Sequence, residues 1–347
     1  MPGNGTATVK EYELPALGEE DVLIEIRASA ICRSDMSLYH GRPLLPGAGA
    51  FIPGHEPAGV VVETGRKVRR VTKGDRVAVC CFVGCGYCEW CQRGEPYLCD
   101  QVEVLGFHRH GGDAEYLVVP ENVCLPIPEE MSYRTAAIAT DAIGNVYNTM
   151  KELKITGADT IAIIGLGPTI GLPAVLVASH LGCEVIAVDV IEARLKAAAE
   201  LGASIVINAA KDNVREKIKT LTKGKGVAKI IEASGSQEGL SLALDIVAKQ
   251  GYIAQIGEIR TATFSPSDYL IRKKITYFGS WYFRMWEWPE IVDFIINRIG
   301  DAKAQRIISH VFRLTESDVK EAFRLFDERK TLKVVFEPFG EEGSGKA

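Results

Sequence analysis

Four cysteines crowd into fifteen residues as Cys85-x2-Cys88-x2-Cys91-x7-Cys99. Thiolates at this spacing can close a tetrahedral shell around one zinc ion, and a shell with no open position is structural. Disulfides or free thiols are the alternatives, but two-residue spacers are the mark of metal binding. A second set of donors lies upstream: Cys32 opens the run Cys32-Arg33-Ser34-Asp35, and His55 sits in Gly54-His55-Glu56. A soft thiolate and an imidazole suit zinc, and a catalytic zinc keeps one position open. Taken singly, each of these residues is ordinary, since a lone Cys or His is more often core or surface. Cys80, Cys81, Cys124 and Cys183 stand outside both sets. The last two read as small buried core residues.

The third chemical feature is the glycine turn Gly165-Leu166-Gly167-Pro168-Thr169-Ile170-Gly171. Glycines let the backbone turn tightly and approach a pyrophosphate, which a following helix N-terminus holds. Asp189 lies eighteen residues beyond Gly171. A carboxylate there binds a ribose 2′-hydroxyl and repels a 2′-phosphate, which favours NAD over NADP. The alternative is an ordinary turn of an α/β protein. One irregularity stands out: three residues separate Gly167 from Gly171, where the usual fingerprint has two.

These features need elements to position them. Residues 9 to about 125 hold short β-branched runs, Val22-Ile26, Val60-Val62 and Val77-Val79, punctuated by Gly and Pro. That pattern predicts an irregular β-rich domain. From Thr160 strands and helices alternate. Ile161-Ile164 leads through the glycine turn to an apolar helix ending near Leu181, then strand Glu184-Val188. Helix Ala193-Leu201, strands Ile205-Ile207 and Lys229-Ala233, helix Glu238-Ala248 and strand Tyr252-Ile256 follow. Such alternation predicts a doubly wound parallel sheet. The last ~60 residues read as helical, then a strand Leu332-Glu337, then a Gly-rich tail Gly340-Ala347 that is expected to be disordered.

A chain of 347 residues is longer than one core usually holds, so two domains are expected. A net charge of −5 and the lack of a basic run give no electrostatic reason to expect nucleic acid or an anionic membrane. Met1 to Thr8 does not read as a secretory signal, and no apolar stretch reaches the ~20 residues of a membrane helix. The sequence thus reads as a soluble, cytoplasmic protein.

In this order, the Cys-Arg-Ser-Asp run, Gly-His-Glu, the cysteine lobe and the Rossmann segment resemble the zinc-containing medium-chain alcohol dehydrogenases, over roughly residues 9 to 338. The resemblance implies an α/β chain. A β-rich GroES-like catalytic domain, residues 1–146 and 283–347, would be interrupted by a Rossmann domain, residues 147–282, with the active site between them. It implies two zinc ions and NAD, a small alcohol or carbonyl substrate, and a homodimer or homotetramer. Cys32 and His55 match two catalytic zinc ligands, and Asp141 occupies the place of the third, a Cys or acidic residue in the family. The other reading of Asp141 is a helix N-cap. Cys85, Cys88, Cys91 and Cys99 match the structural zinc site.

By the same resemblance Ser34 matches the hydroxyl that carries the substrate proton toward solvent, Asp35 the carboxylate that orients His55, and Glu56 the acidic residue near the metal. Arg33 and Lys333 match cations at the cofactor pyrophosphate, and Arg194 a cation near the adenosine ribose. Gly165, Gly167, Thr169, Ile170, Gly171 and Asp189 make up the rest of the cofactor site. Three departures follow. Ser37 stands where many relatives have a His that finishes the proton path, so His40, water or a shorter relay takes its place. The glycine turn has its extra residue, and the first strand of the family is short or missing.

The acidic third ligand resembles secondary-alcohol and polyol members, and a small Cys81 leaves room for a branched or cyclic substrate. Trp281 or Tyr282, in the aromatic run Tyr277-Trp288, either edges the cleft or serves the core or a subunit contact. His108-Arg109-His110 is a further loop candidate. Two other functions compete: a zinc-free quinone or enoyl reductase of the same superfamily, and a non-catalytic nucleotide-binding protein. The intact ligand set argues against both.

Overall fold

The computed structural model describes residues 1–340. The tail expected to be disordered lies, from residue 341, outside the described residues. The chain divides into two compact units, Met1–Asp141 with Arg284–Ala347, and Ala142–Phe283. The sequence reading drew the divisions at 146/147 and 282/283. Helical backbone runs from Tyr133 through a π-turn at Ala139–Ile143 to Glu152, so no break in periodicity marks the first division.

The first unit is built on a seven-stranded sheet around the strand Asp21–Ile31. Its alternating burial, with Val22, Ile24 and Ile26 inward, is the period of a half-buried strand. Pro57–Thr64, Tyr116–Pro120 and Lys333–Phe336 all pair antiparallel to it. Ile308–Phe312 lies parallel to Lys333–Phe336 at the sheet edge. That strand falls in a stretch the sequence reading took as helical, although Ile308, Val311 and Phe312 are strand formers. Helix Glu316–Asp327 is capped by Thr315, whose hydroxyl accepts from Asp318 N. Its Val319, Phe323 and Phe326 pack with Ile31, Met36, Tyr39 and Phe336.

The second unit is a six-stranded, all-parallel sheet. Numbered within the unit, its strand order is 3-2-1-4-5-6, that of a dinucleotide fold. Strand one, Thr160–Ile164, feeds the glycine turn, and helix Gly171–His180 follows with Leu172, Val175 and Val177 buried. Pro173 sits in the first turn of that helix, where a missing N–H costs no helical bond. Helix Val214–Leu221 is an element the sequence reading passed over. Asn213 caps it by accepting from Glu216 N, and Val214 and Ile218 bury one face. Among the described residues no helix is long and apolar enough to cross a membrane.

Candidate metal and cofactor sites

Strand pairing assembles the first donor set. Ser29 pairs with Pro57, and Ala30 N donates to Glu56 O at 3.1 Å, which sets His55-Glu56 beside the end of strand Asp21–Ile31. Ile31 pairs with Val334, so one residue further on Cys32 faces Lys333. Asp141 comes from the π-turn Ala139–Ile143; such turns are frequent at functional sites. It is not an N-cap: Ser132 caps the helix before it, accepting from Thr135 N. The donor atoms of Cys32, His55, Glu56 and Asp141 all lie within 4.8 Å of one another. Cys32 Sγ is 3.2 Å from Asp141 Oδ2, and His55 Nε2 is 3.9 Å from the same oxygen. Two ligands on one tetrahedral zinc stand about 3.3–3.8 Å apart, so the set has the right size as well as the right chemistry.

The surroundings orient these donors. Asp35 is fully buried; its Oδ1 lies 3.0 Å from His55 Nδ1 and its Oδ2 accepts Cys32 N at 2.8 Å. With Nδ1–H donated to Asp35, Nε2 is the ring atom directed among the other ligand atoms, where its lone pair would be free for a metal ion. Ser34 Oγ sits 3.3 Å from that same Nε2. Burial pushes the Cys32 thiol up, with Asp141 adding to it. Burial pulls His55 down, but Asp35 and Cys32 outweigh it and hold the imidazole well above its usual value. Burial lifts Glu56 to about 8 against the pull of Lys333. Glu56 Oε2 is buried without a hydrogen-bond partner, and a carboxylate oxygen of Glu56 belongs to the cluster of ligand atoms.

The four lobe thiols also lie within 4.8 Å of one another. Cys85 Sγ and Cys91 Sγ are 4.0 Å apart, against about 3.8 Å for two thiolates on one tetrahedral zinc. The Tyr87 and Cys88 amides draw Cys85 down to about 6, while burial pushes Cys91 up to about 12.

In the second unit Gly165 has φ +86°, and a Cβ there would stand 2.5 Å from Ser234 Cα. A Cβ on Gly171 would stand 2.0 Å from Gly165 O, so strand and helix touch backbone to backbone. A Cβ on Gly167 meets nothing within 4 Å, the open cradle a pyrophosphate needs. Leu172 N donates to Gly167 O at 3.0 Å, five residues back, and this wider turn absorbs the extra residue. Thr169 is buried in the turn and Ile170 precedes the helix with φ −125°. Asp189 Oδ2 accepts Leu166 N at 2.6 Å, and Oδ1 accepts Val190 N and Ile191 N. Arg194 Nη1 stands 3.8 Å from Asp189 Oδ2.

Lys333, expected among the cofactor cations, lies beside the first donor set. It is fully buried in the first unit with its ammonium on Glu56, since the strand pairing sets it opposite Cys32. Arg33 is half exposed, 3.9 Å from Asp327, and His40 Nε2 lies 2.9 Å from the same carboxylate. Ser37 Oγ accepts Leu44 N. His108 and His110 are held by the backbone: Val104 N donates to His108 Nδ1 and Ile52 N to His110 Nδ1. Tyr282 and Phe283 are buried and stacked 4.6 Å apart, while Trp281 is half exposed.

Asp113 escaped the sequence reading. Ser29 Oγ donates to its Oδ1 at 2.7 Å, and a Cβ on Gly54 would stand 2.4 Å from that oxygen. Burial, then the charge of Asp35, lifts it to about 7. Its only sequence signal is an acid in Gly111-Gly112-Asp113, which reads as a turn.

Residues 18–129 match the family model "Alcohol dehydrogenase GroES-like domain", and residues 169–297 match "Zinc-binding dehydrogenase". An uncharacterized zinc-type alcohol dehydrogenase-like protein of Escherichia coli K12, YphC, is 32% identical, with 96% of each chain covered. D-arabitol-phosphate dehydrogenase of Enterococcus avium is 29% identical, over 98% of this chain and 96% of that protein. The solved alcohol dehydrogenase TADH from Thermus sp. ATN1 superposes with a TM-score of 0.86 at 31% identity, covering 95% of this chain and 96% of that one.

Proposed function

The chain belongs to the zinc-containing medium-chain alcohol dehydrogenase family, and from that premise we propose that it converts a secondary alcohol or polyol to the carbonyl with NAD as hydride acceptor. The observation that carries the reading is the convergence of Cys32 Sγ, His55 Nε2 and Asp141 Oδ2. These three residues hold the catalytic zinc, and Cys85, Cys88, Cys91 and Cys99 hold a structural one. Zinc in the first set supplies a Lewis acid for the substrate hydroxyl, and the dinucleotide supplies the hydride acceptor.

The chain's own residues do the rest. Asp35 fixes the His55 tautomer and ring and ties the Cys32 backbone to them. Ser34 Oγ, beside His55 Nε2, relays the substrate hydroxyl's proton: it accepts that proton as it gives up its own toward solvent. Glu56 keeps a carboxylate oxygen at the donor set, restrained by Lys333. The turn Gly165–Gly171 offers backbone and a helix N-terminus to the pyrophosphate, Asp189 accepts the ribose 2′-hydroxyl, and Arg194 and Arg33 supply cations to the dinucleotide.

The substrate class draws support from the carboxylate third ligand and from the relative that acts on D-arabitol phosphate. A cytoplasmic homodimer or homotetramer completes the proposal. The test is a spectrophotometric screen of zinc-loaded protein with zinc content measured beforehand. Secondary alcohols, open-chain and cyclic polyols, phosphorylated polyols, aromatic alcohols and threonine are each offered with NAD and NADP. Two zinc per chain and turnover of one class with NAD are expected. Full zinc loading with no turnover across the panel would defeat the proposed reaction.

A further inference from the structure

We infer that the four-cysteine lobe is a clamp on the segment by which the chain returns to its first unit, so that zinc in the lobe and order in residues 284–287 are coupled. The lobe's inner loop, Arg93-Gly94-Glu95, lies between Cys91 and Cys99. Each of its residues binds the return segment. Gly94 O accepts Met285 N at 2.8 Å, Arg93 O accepts Trp286 Nε1 at 3.0 Å, and Glu95 Oε1 accepts Arg284 Nε at 3.0 Å. The Arg284 guanidinium also lies over the Trp286 ring, 5.9 Å from its centroid.

Gly94 is required for this approach. Its φ is +76°, and a Cβ would stand 2.8 Å from Trp286 Cδ1. Behind it the loop is fastened to the metal ligands: Gly94 N donates to Cys91 O, and Glu95 N to Trp90 O, within and beside the short helix Glu89–Gln92. That helix is four residues long with only Trp90 and Cys91 half-buried, so little apolar packing orders it without a metal. The return segment is closed on itself by Arg284 N to Glu287 Oε2 at 3.0 Å, and Trp288 Nε1 fastens its far side to Pro126 O. Two pieces that share three bonds stabilise each other reciprocally.

The inference rests on the proposal that the lobe holds zinc, so zinc content and lobe thiol accessibility are measured first on the full-length, zinc-loaded protein. Hydrogen exchange is then followed from both sides. Arg284→Gln and Trp286→Phe, which touch no cysteine, should speed exchange across residues 85–99 by about tenfold, with strand 333–336 unchanged. Cys85→Ser should speed exchange across 284–287 to a similar extent. If the lobe binds zinc and both return-segment variants leave 85–99 as protected as before, the clamp is wrong while the zinc reading stands. If the wild-type lobe thiols react freely and one zinc is found, the zinc reading fails and the clamp with it. Should Cys85→Ser not fold, the two return-segment variants decide the matter alone.

Discussion

Asp35 joins the two halves of the candidate metal site: one of its oxygens lies 3.0 Å from His55 Nδ1 and the other accepts the Cys32 backbone N–H at 2.8 Å. Both partners are donors, and both oxygens are engaged. Asn at position 35 has one oxygen and one NH2 group, so in either orientation it turns a donor toward a donor. Asp35→Asn should therefore lower zinc affinity by about 10- to 100-fold, the usual cost of losing such a support. Competition with a chromogenic chelator measures it. Unchanged affinity would mean that Asp35 serves the fold alone.

Asp141 offers a sharper test of the ligand set. Asp141→Ala should lose one zinc per chain and lower turnover by on the order of a hundredfold or more, since Lewis-acid activation goes with the metal. Asp141→Cys should keep the zinc, because a thiolate bonds zinc as readily as a carboxylate oxygen does. Elemental analysis of the two variants beside wild type checks this. Equal zinc in Asp141→Ala and wild type would remove Asp141 from the set.

The parts of this site that sequence made legible are those where one residue type carries one chemistry. Four close thiols, a Cys and a His before strands, and glycines between a strand and a helix each announce themselves. What stayed hidden is set by strand register. Nothing local ties Lys333 to Glu56 until Ile31 is paired with Val334, which places it opposite Cys32 and buries it on that carboxylate. Asp113 reads as a turn acid until Gly111–Asp113 is laid along Ile52–Gly54, with Gly111 N on Ile52 O and Asp113 N on Pro53 O. The alternation of the second unit was plain from periodicity. The helix Val214–Leu221 and the edge strand Ile308–Phe312 are not legible there, because an eight-residue helix and a five-residue, half-exposed strand show too few repeats of their pattern.

Asp189 has two duties that the choice of cofactor can separate. Its oxygens accept three backbone amides, from Leu166, Val190 and Ile191, and its charge disfavours a 2′-phosphate. Asp189→Asn keeps an oxygen for Val190 and Ile191, loses the acceptor for Leu166 N, and removes the charge, with Arg194 close at hand. The ratio of kcat/KM for NAD to that for NADP should fall by about tenfold or more, which is about 1.4 kcal/mol of discrimination. Steady-state kinetics with both cofactors give the answer. A constant ratio would leave Asp189 as a fastener of the glycine turn only.

The glycines of the turn should respond in opposite ways to the same added methyl group. At Gly171 a Cβ would lie 2.0 Å from Gly165 O and 2.6 Å from Leu166 Cα, so Gly171→Ala must part the helix from the strand. Crowding of backbone against backbone costs about 1–3 kcal/mol or more, and the melting temperature should drop by several degrees. At Gly167 nothing lies within 4 Å, and its φ is not in the left-handed region. Gly167→Ala should therefore leave the melting temperature of the apo protein unchanged, or raise it slightly by stiffening the unfolded chain. The same methyl group fills the cradle where a pyrophosphate would rest, so the Kd for NAD should rise by about tenfold or more. Thermal melts and NAD titration on the two variants separate a turn that only joins strand to helix from one shaped around a dinucleotide. Unchanged NAD binding by a stable Gly167→Ala protein would mean that the cofactor does not lie against this turn.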